Sequence, residues 1–307
     1  MKRILYVPFD QLHRRYGILK SANPQEDLIV MFESKRMTTG DQWHKVRLYF
    51  LISSARHFAE ELKTEGFTVH YVQAETTEIG LKKIQESENL PIYACEQSSY
   101  RALHHSLLSP YINNGLLHPS EVIAEALKRY KKGDIPIASC EGFIRQIIGW
   151  REYINGMYWF LGEEYKENNH LSANRKLLPL LTNSSSTKMN CVKNVISDIE
   201  NRAWTHHIPR LMVLSNLALI TGTNPQEFLD WMRRTFIDAS DWVMVPNIIG
   251  MGLHADNGKM MTKPYAAGGA YISRMSNYCS QCSYDPKLRT GETACPFTTL
   301  YWDFLDR

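Results

Sequence analysis

The chain has 307 residues, 44% hydrophobic and 22% charged, and a formal net charge of +3, which fits a folded protein with room for about two domains. No apolar run approaches the roughly 18 residues of a membrane span, and the opening MKRILYVPFDQ carries too short an apolar run for a secretory leader, so a cytoplasmic protein with no membrane contact is expected. The charge permits a polyanionic partner without requiring one, and six cysteines in a reducing compartment point to metal, redox use or burial rather than to disulfides.

Short apolar runs alternate with amphipathic stretches through the first hundred residues: RILYVPF, DLIVMFE, the long HKVRLYFLISSARHFAEELKTEG, VHYVQA, TEIGLKKIQESE and IYACEQ. Strands separated by helices predict βαβ units and a parallel sheet, so residues 1–100 are expected to form an α/β, Rossmann-like domain. The first strand runs into Asp10-Gln11-Leu12-His13 instead of a glycine-rich turn, which disfavours an ordinary dinucleotide site there. From Ser106 the texture turns helical, through SLLSPYINNGLL, PSEVIAEALKRYKKG, SCEGFIRQIIGWREYINGMYWFLGEEYKE, PRLMVLSNLALITG and NPQEFLDWMRRTFIDA. Asn224 followed by Pro225 reads as a helix cap and first-turn proline, and Pro209 takes a first-turn position in the same way. Residues 171–190 are polar and loop-like. An all-α second domain over 106–307 is the expectation.

Four constellations in this second part can carry chemistry. Cys279, Cys282 and Cys295 fall within seventeen positions, and Cys191 is the best distant candidate for a fourth sulfur ligand. Cys95 lies in an apparent strand and Cys140 at a helix start. By spacing alone, a zinc site, a four-iron cluster and unliganded thiols all stay open; Tyr278, Tyr284, Phe297, Tyr301 and Trp302 are placed to shield a centre. In SCEGFIRQIIGWREY, the residues Glu141, Arg145, Gly149 and Glu152 share one stripe of a helix. That stripe is either a surface with a Glu141–Arg145 pair or a face where something flat meets the backbone at Gly149. His206 and His207 precede a strongly apolar helix, and one of them could donate a proton near neutral pH. DASDWVMVPNIIGMGLHADNGKMMTKPYAAGGAYI is apolar yet aperiodic, which marks a segment that lines something rather than a disordered one.

These segments together resemble the photolyase and cryptochrome superfamily: Ser106-Leu-Leu-Ser-Pro-Tyr-Ile, Glu141 to Tyr153, His206-His-Ile-Pro-Arg, Asp241-Trp-Val-Met-Val-Pro-Asn and Lys263-Pro-Tyr-Ala-Ala-Gly-Gly-Ala-Tyr. More closely they are similar to its bacterial branch with an iron-sulfur cluster, which includes prokaryotic (6-4) photolyases. The resemblance implies a 4Fe-4S cluster on Cys191, Cys279, Cys282 and Cys295, and FAD in the helical domain. Ser109 would face the flavin phosphates; Arg145, Gln146, Asp241 and Asn247 would contact the cofactor, and Arg210 with Asp238 would form the ion pair beside it. His206, His207 and Tyr265 are implied at the lesion, Trp231 as the electron-transfer residue next to the flavin, and Met244 near flavin N5, where it has no proton to exchange. The α/β start would be an antenna domain, with a ribityllumazine-type chromophore as its candidate ligand, and the interdomain connection after it is short against the family's. The implied activity is light-driven repair of a flipped-out (6-4) photoproduct in single- or double-stranded DNA by a monomer. The alternatives are a light sensor without repair and an inactive truncated relative.

Overall fold

A computed structural model describes residues 2–9, 12, 14, 17–40, 44–94 and 108–306. Cys95 and the Asp10, Gln11 and His13 positions lie outside the described residues. The chain divides into two compact units, Met1–Arg151 and Glu152–Arg307, and it combines a parallel α/β sheet with a helical remainder.

In the first unit, β1 (Arg3–Tyr6), β2 (Asp27–Ser34), β3 (Thr68–Ala74) and β4 (Ile92–Ala94) form one sheet in the order β3-β2-β1-β4. All three pairings are parallel, with Ile4 opposite both Leu28 and Ile92, and Leu28 opposite Thr68. Every residue of β2 is buried, as expected of a strand covered on both faces. Side chains alternate across it with period two: Leu5, Ile29 and Met31 pack on helix α1 (Lys45–Thr64), while Ile4, Leu28, Val30 and Phe32 face α2 (Thr77–Glu88) through Leu81 and Ile84. Helix α1 buries Leu51, Ala55, Phe58, Ala59 and Leu62, the i, i+4, i+7, i+8, i+11 stripe of an amphipathic helix. Its cap is His44, whose Nδ1 accepts the Val46 N–H at 3.2 Å. Asp27, at the start of β2 and 1% exposed, accepts bonds from Arg3 at 2.7 and 3.1 Å and from the Asn23 amide at 2.8 Å. The unit continues through Ser109–Asn113, Pro119–Lys131 and Ile137–Arg145.

The second unit is helical. Its core gathers Leu214, Leu217, Ala218 and Ile220 with Phe228, Met232, Phe236, Ile249 and Phe297. Asn190–Arg202 supplies Val192, Val195, Ile196 and Ile199 to it. Asn224 caps Pro225–Thr235 by accepting the Gln226 and Glu227 amides, as its sequence predicts, and residues 171–189 hold two single 3-10 turns and an isolated β-bridge from Arg175 to Thr223. Three segments singled out by sequence contain π-helical turns: Gln146–Trp150 in the first unit, and Arg210–Ser215 and Pro246–Gly252 in the second. Such turns carry one residue more than the α-helix and occur often at functional sites. No described helix is long and apolar enough to cross a membrane.

Candidate functional site

Four cysteines of the second unit, Cys191, Cys279, Cys282 and Cys295, line one small pocket. Cys191 reaches it from the first turn of helix Asn190–Arg202. The other three come from a tight 3-10 turn at Tyr278–Gln281, the residue after it, and the start of helix Pro296–Asp306. The remaining wall is apolar, with Met189, Ile272, Tyr278, Tyr284 and Phe297. Tyr301 and Trp302 do not line it; Trp302 instead lies under the Arg289 guanidinium at 4.1 Å. Gly269 is needed at the edge, because a β-carbon there would sit 2.6 Å from the Cys295 sulfur. All four thiols are free of disulfides. Burial, reinforced by the three neighbouring cysteines, pushes the Cys191 thiol up to about 12, and burial raises Cys279 as well. Thiolates crowded in so apolar a place require a compensating cation. Among the described residues no three His, Cys, Asp or Glu side chains converge as ligands of a single metal ion. Four sulfur donors on one pocket are the donor chemistry of a thiolate-held metal centre.

Elsewhere in this unit, Arg210 and Asp238 are joined by two parallel bonds of 2.9 and 3.0 Å. Asp238 is 2% exposed. The guanidinium is fixed further by the Thr205 carbonyl at 2.7 Å and by stacking 4.2 Å above the Phe236 ring. That ring meets buried Trp231 edge-on at 6.2 Å, and the Phe228 ring lies 5.6 Å from the indole. The two histidines divide at a helix start: His207 opens the helix, and His206 is its cap, with Nδ1 accepting the Ile208 N–H at 3.3 Å. The neutral ring of His206 therefore carries its proton on Nε2. Tyr265 is 37% exposed. Met244 is buried.

Asn247, inside the π-turn, donates from Nδ2 to the Val243 carbonyl at 2.7 Å while its Oδ1 is buried with no partner. A sequestered acceptor without a donor is where a bound cofactor's N–H or O–H fits. Asp241, exposed, pairs with half-buried Arg233 at 2.8 Å. In the first unit, Ser109 is buried at the start of its short helix and Gln146 is half-buried. Arg145 is exposed and paired with Glu141 at 3.0 Å, the surface arrangement that its i, i+4 spacing allows.

Two supports of this region were not visible in sequence. Asp256, 1% exposed, accepts the Tyr165 hydroxyl at 2.7 Å and the Met260 and Gly258 amides at 2.8 and 3.1 Å. Asn216, fully buried, exchanges both bonds of its carboxamide with the backbone of Ala267 at 2.8 and 3.0 Å, which fixes the segment carrying Tyr265. Each joins residues 51 or more positions apart, and no local pattern announces either.

A profile of the deoxyribodipyrimidine photo-lyase-related protein family matches residues 5–107. A (6-4) photolyase of Agrobacterium fabrum is 50% identical over 205 residues, 67% of this chain and 40% of the relative. The chain thus spans well under two thirds of that relative's length. Its fold is similar to that of a bacterial class III photolyase from Agrobacterium tumefaciens, with a TM-score of 0.61 at 12% identity over 100% of this chain and 97% of the other. An archaeal photolyase from Sulfolobus tokodaii, solved with two FAD molecules, gives a TM-score of 0.63 at 10% identity over the whole of both chains. With a parallel sheet, a helical remainder and half of its residues shared across that 205-residue stretch, the chain is similar to the photolyase-related proteins in sequence and to photolyases in fold.

Proposed function

We propose that this chain, loaded with FAD, is a light-driven DNA photolyase of the (6-4) type, acting on a flipped-out photoproduct in single- or double-stranded DNA. The 50% identity with a (6-4) photolyase carries this reading. Its supports in the structure are the sulfur-lined cavity, the locked Arg210–Asp238 pair and the unpartnered oxygen of Asn247. Residues 1–100 then serve as an antenna-like domain, with a ribityllumazine-type chromophore as the candidate ligand, and 106–307 as the catalytic part of a cytoplasmic monomer. Bound flavin supplies the light-driven electron, and a 4Fe-4S cluster held by Cys191, Cys279, Cys282 and Cys295 supplies the positive charge that buried thiolates need.

The chain's own residues do the rest. Arg210 and Asp238, each fixed by the other, hold an oriented charge pair at the cofactor without reorganising, and Asn247 offers its buried oxygen to a flavin donor. Asp241 reaches the cofactor only by leaving Arg233; in the first unit Arg145 is held by Glu141, and Ser109, Arg145 and Gln146 are cofactor candidates through the family resemblance alone. Trp231 relays an electron through the aromatic stack. His206, protonated to the imidazolium and released from its cap on the Ile208 amide, delivers a proton from Nε2, while His207 and Tyr265 orient the lesion. Flipping costs a few kcal/mol and least for a damaged base, and phosphate contacts make binding weaken with salt.

The test is repair of an oligonucleotide bearing one (6-4) photoproduct, under anaerobic illumination with a reductant, read by chromatography of the product. The parent repairs it, and His206→Ala loses about 100- to 10,000-fold in rate with flavin content unchanged. Flavin-loaded parent that photoreduces but repairs nothing overturns the reading; His206→Ala and His207→Ala variants that both match the parent overturn the histidine roles.

A further inference from the structure

Within the second unit, an open cleft of about 500 Å³ lies away from the cysteine cavity and shares no lining residue with it. We infer that this cleft is a binding site for a small planar anion of mononucleotide size, held by Arg175. Its floor is apolar, from Leu219, Leu253 and Phe304. Its wall is the irregular segment 169–175, which is not slack. The Asn169 side chain both accepts from and donates to the Ala173 backbone, at 2.9 and 3.0 Å. The His170 amide is bonded to Ala255, and the Arg175 backbone is bonded to Gly222 and Asn224 at 3.0 and 2.7 Å. A loop pinned this way is a preformed wall, and clefts of a few hundred Å³ with an apolar floor and a few converging polar groups are where small ligands bind.

Three polar side chains on this wall have no use within the described structure: Ser172, Asn174 and Arg175 line the cleft, and none makes a side-chain hydrogen bond or ion pair with any described residue. A guanidinium takes phosphate or carboxylate through two parallel bonds, an amide adds a donor and an acceptor, and the apolar floor takes a flat ring. A ligand with an aromatic heterocycle at one end and a phosphate at the other satisfies all of these at once. Residues bound for FAD or lesion contacts are not part of this cleft, so the inference stands apart from the photolyase reading.

The probe is adenosine monophosphate, titrated into the purified protein by calorimetry beside adenosine and inorganic phosphate. AMP is expected to bind, adenosine about 10- to 100-fold more weakly, and Arg175→Gln to lower AMP affinity by the same factor, the range for a charge-assisted pair. Arg175→Lys should restore part of it. Because the Arg175 side chain has no partner among the described residues, the variant folds as the parent does, which circular dichroism checks. Absence of AMP saturation below about 10 mM, or AMP binding that Arg175→Gln leaves unchanged, overturns the inference; the latter outcome also identifies AMP lodged in a flavin site.

Discussion

Replacing Tyr165 by Phe removes one oxygen and keeps the ring, so the whole effect falls on Asp256. The lost bond, 2.7 Å long, goes to a carboxylate that is 1% exposed, and hydrogen bonds to charged groups contribute about 1.5–3 kcal/mol. Two backbone amides still hold Asp256, so it is not stranded, and the expected loss is about 2 kcal/mol. Gly250→Ala attacks the same bond from outside. Its β-carbon would sit 2.5 Å from both the Tyr165 hydroxyl and Met260 Cβ. Overpacking costs about 1–3 kcal/mol, and displacement of the hydroxyl adds the hydrogen bond. The two changes should therefore not add: in the double variant the bond is lost only once, so it should cost about 1.5–3 kcal/mol less than the sum.

Urea unfolding followed by circular dichroism measures all three variants. Burial first, then Asp256, raises the Tyr165 phenol above its usual range. A raised group contributes stability that is fully present below the ordinary phenol value near 10 and lost as pH climbs beyond it. The parent should lose stability above about pH 10 more steeply than Tyr165→Phe does. A Tyr165→Phe loss under about 0.5 kcal/mol, strict additivity, or equal alkaline slopes would refute the assignment of Tyr165 and Asp256 as the fastening of residues 253–262.

Cys191→Ser should lose iron and sulfide as completely as Cys282→Ser does, and Gly269→Ala should lower iron content with every cysteine intact, because its methyl crowds the Cys295 sulfur; zinc in anaerobically prepared protein would replace the cluster assignment. Trp231→Phe should slow flavin photoreduction with flavin content unchanged, since Phe fills the space but resists oxidation; an unaltered rate in a stopped-light absorbance assay would move the electron route elsewhere. Asp27→Asn should destabilise the sheet unit by about 2 kcal/mol at pH 7. The Arg3 bond holds the Asp27 carboxyl below its ordinary range, so this contribution is present above the ordinary carboxylate value near 4 and disappears as pH falls through the lowered one. Parent and variant should converge in acid, and a constant gap down to pH 2 would contradict the linkage.

What was legible in sequence follows from what is local. β1 to β4, α1 and α2 were readable because periods of two and of 3.6 are set by the chain itself: the stripe from Leu51 to Leu62 is visible without neighbours. The cap at Asn224 was equally local. The cysteine triplet was visible too, with Cys191 as its best distant partner, but spacing left zinc, iron and free thiols open, and only the family resemblance pointed to the iron-sulfur cluster. The His206 cap escaped notice because histidine is not a usual capping residue, and the π-turns did because no residue type encodes an extra amide. Asp241 shows the limit most plainly. Its partner Arg233 lies eight positions back in the preceding helix, and only the turn between the helices brings the two charges together.

The π-turns also determine which changes in length these helices can absorb. At Pro246–Gly252 the side chain of Asn247 takes the Val243 carbonyl, and at Arg210–Ser215 the side chain of Asn216 takes that of Met212. In each case an amide side chain occupies an acceptor four positions back, the place where a regular helix would put a backbone donor. Loss of one residue, Ile248 for instance, would let the helix close to ordinary pitch and look locally improved. Everything beyond would then be turned by about 100°, carrying the bare backbone of Gly250 off the Tyr165 hydroxyl and Asp256 out of that hydroxyl's reach. Substitutions of similar volume should thus be accepted along 246–252 more readily than any single deletion, so that alignments of relatives should keep the spacing between Asn247 and Asp256 even where the intervening apolar residues differ.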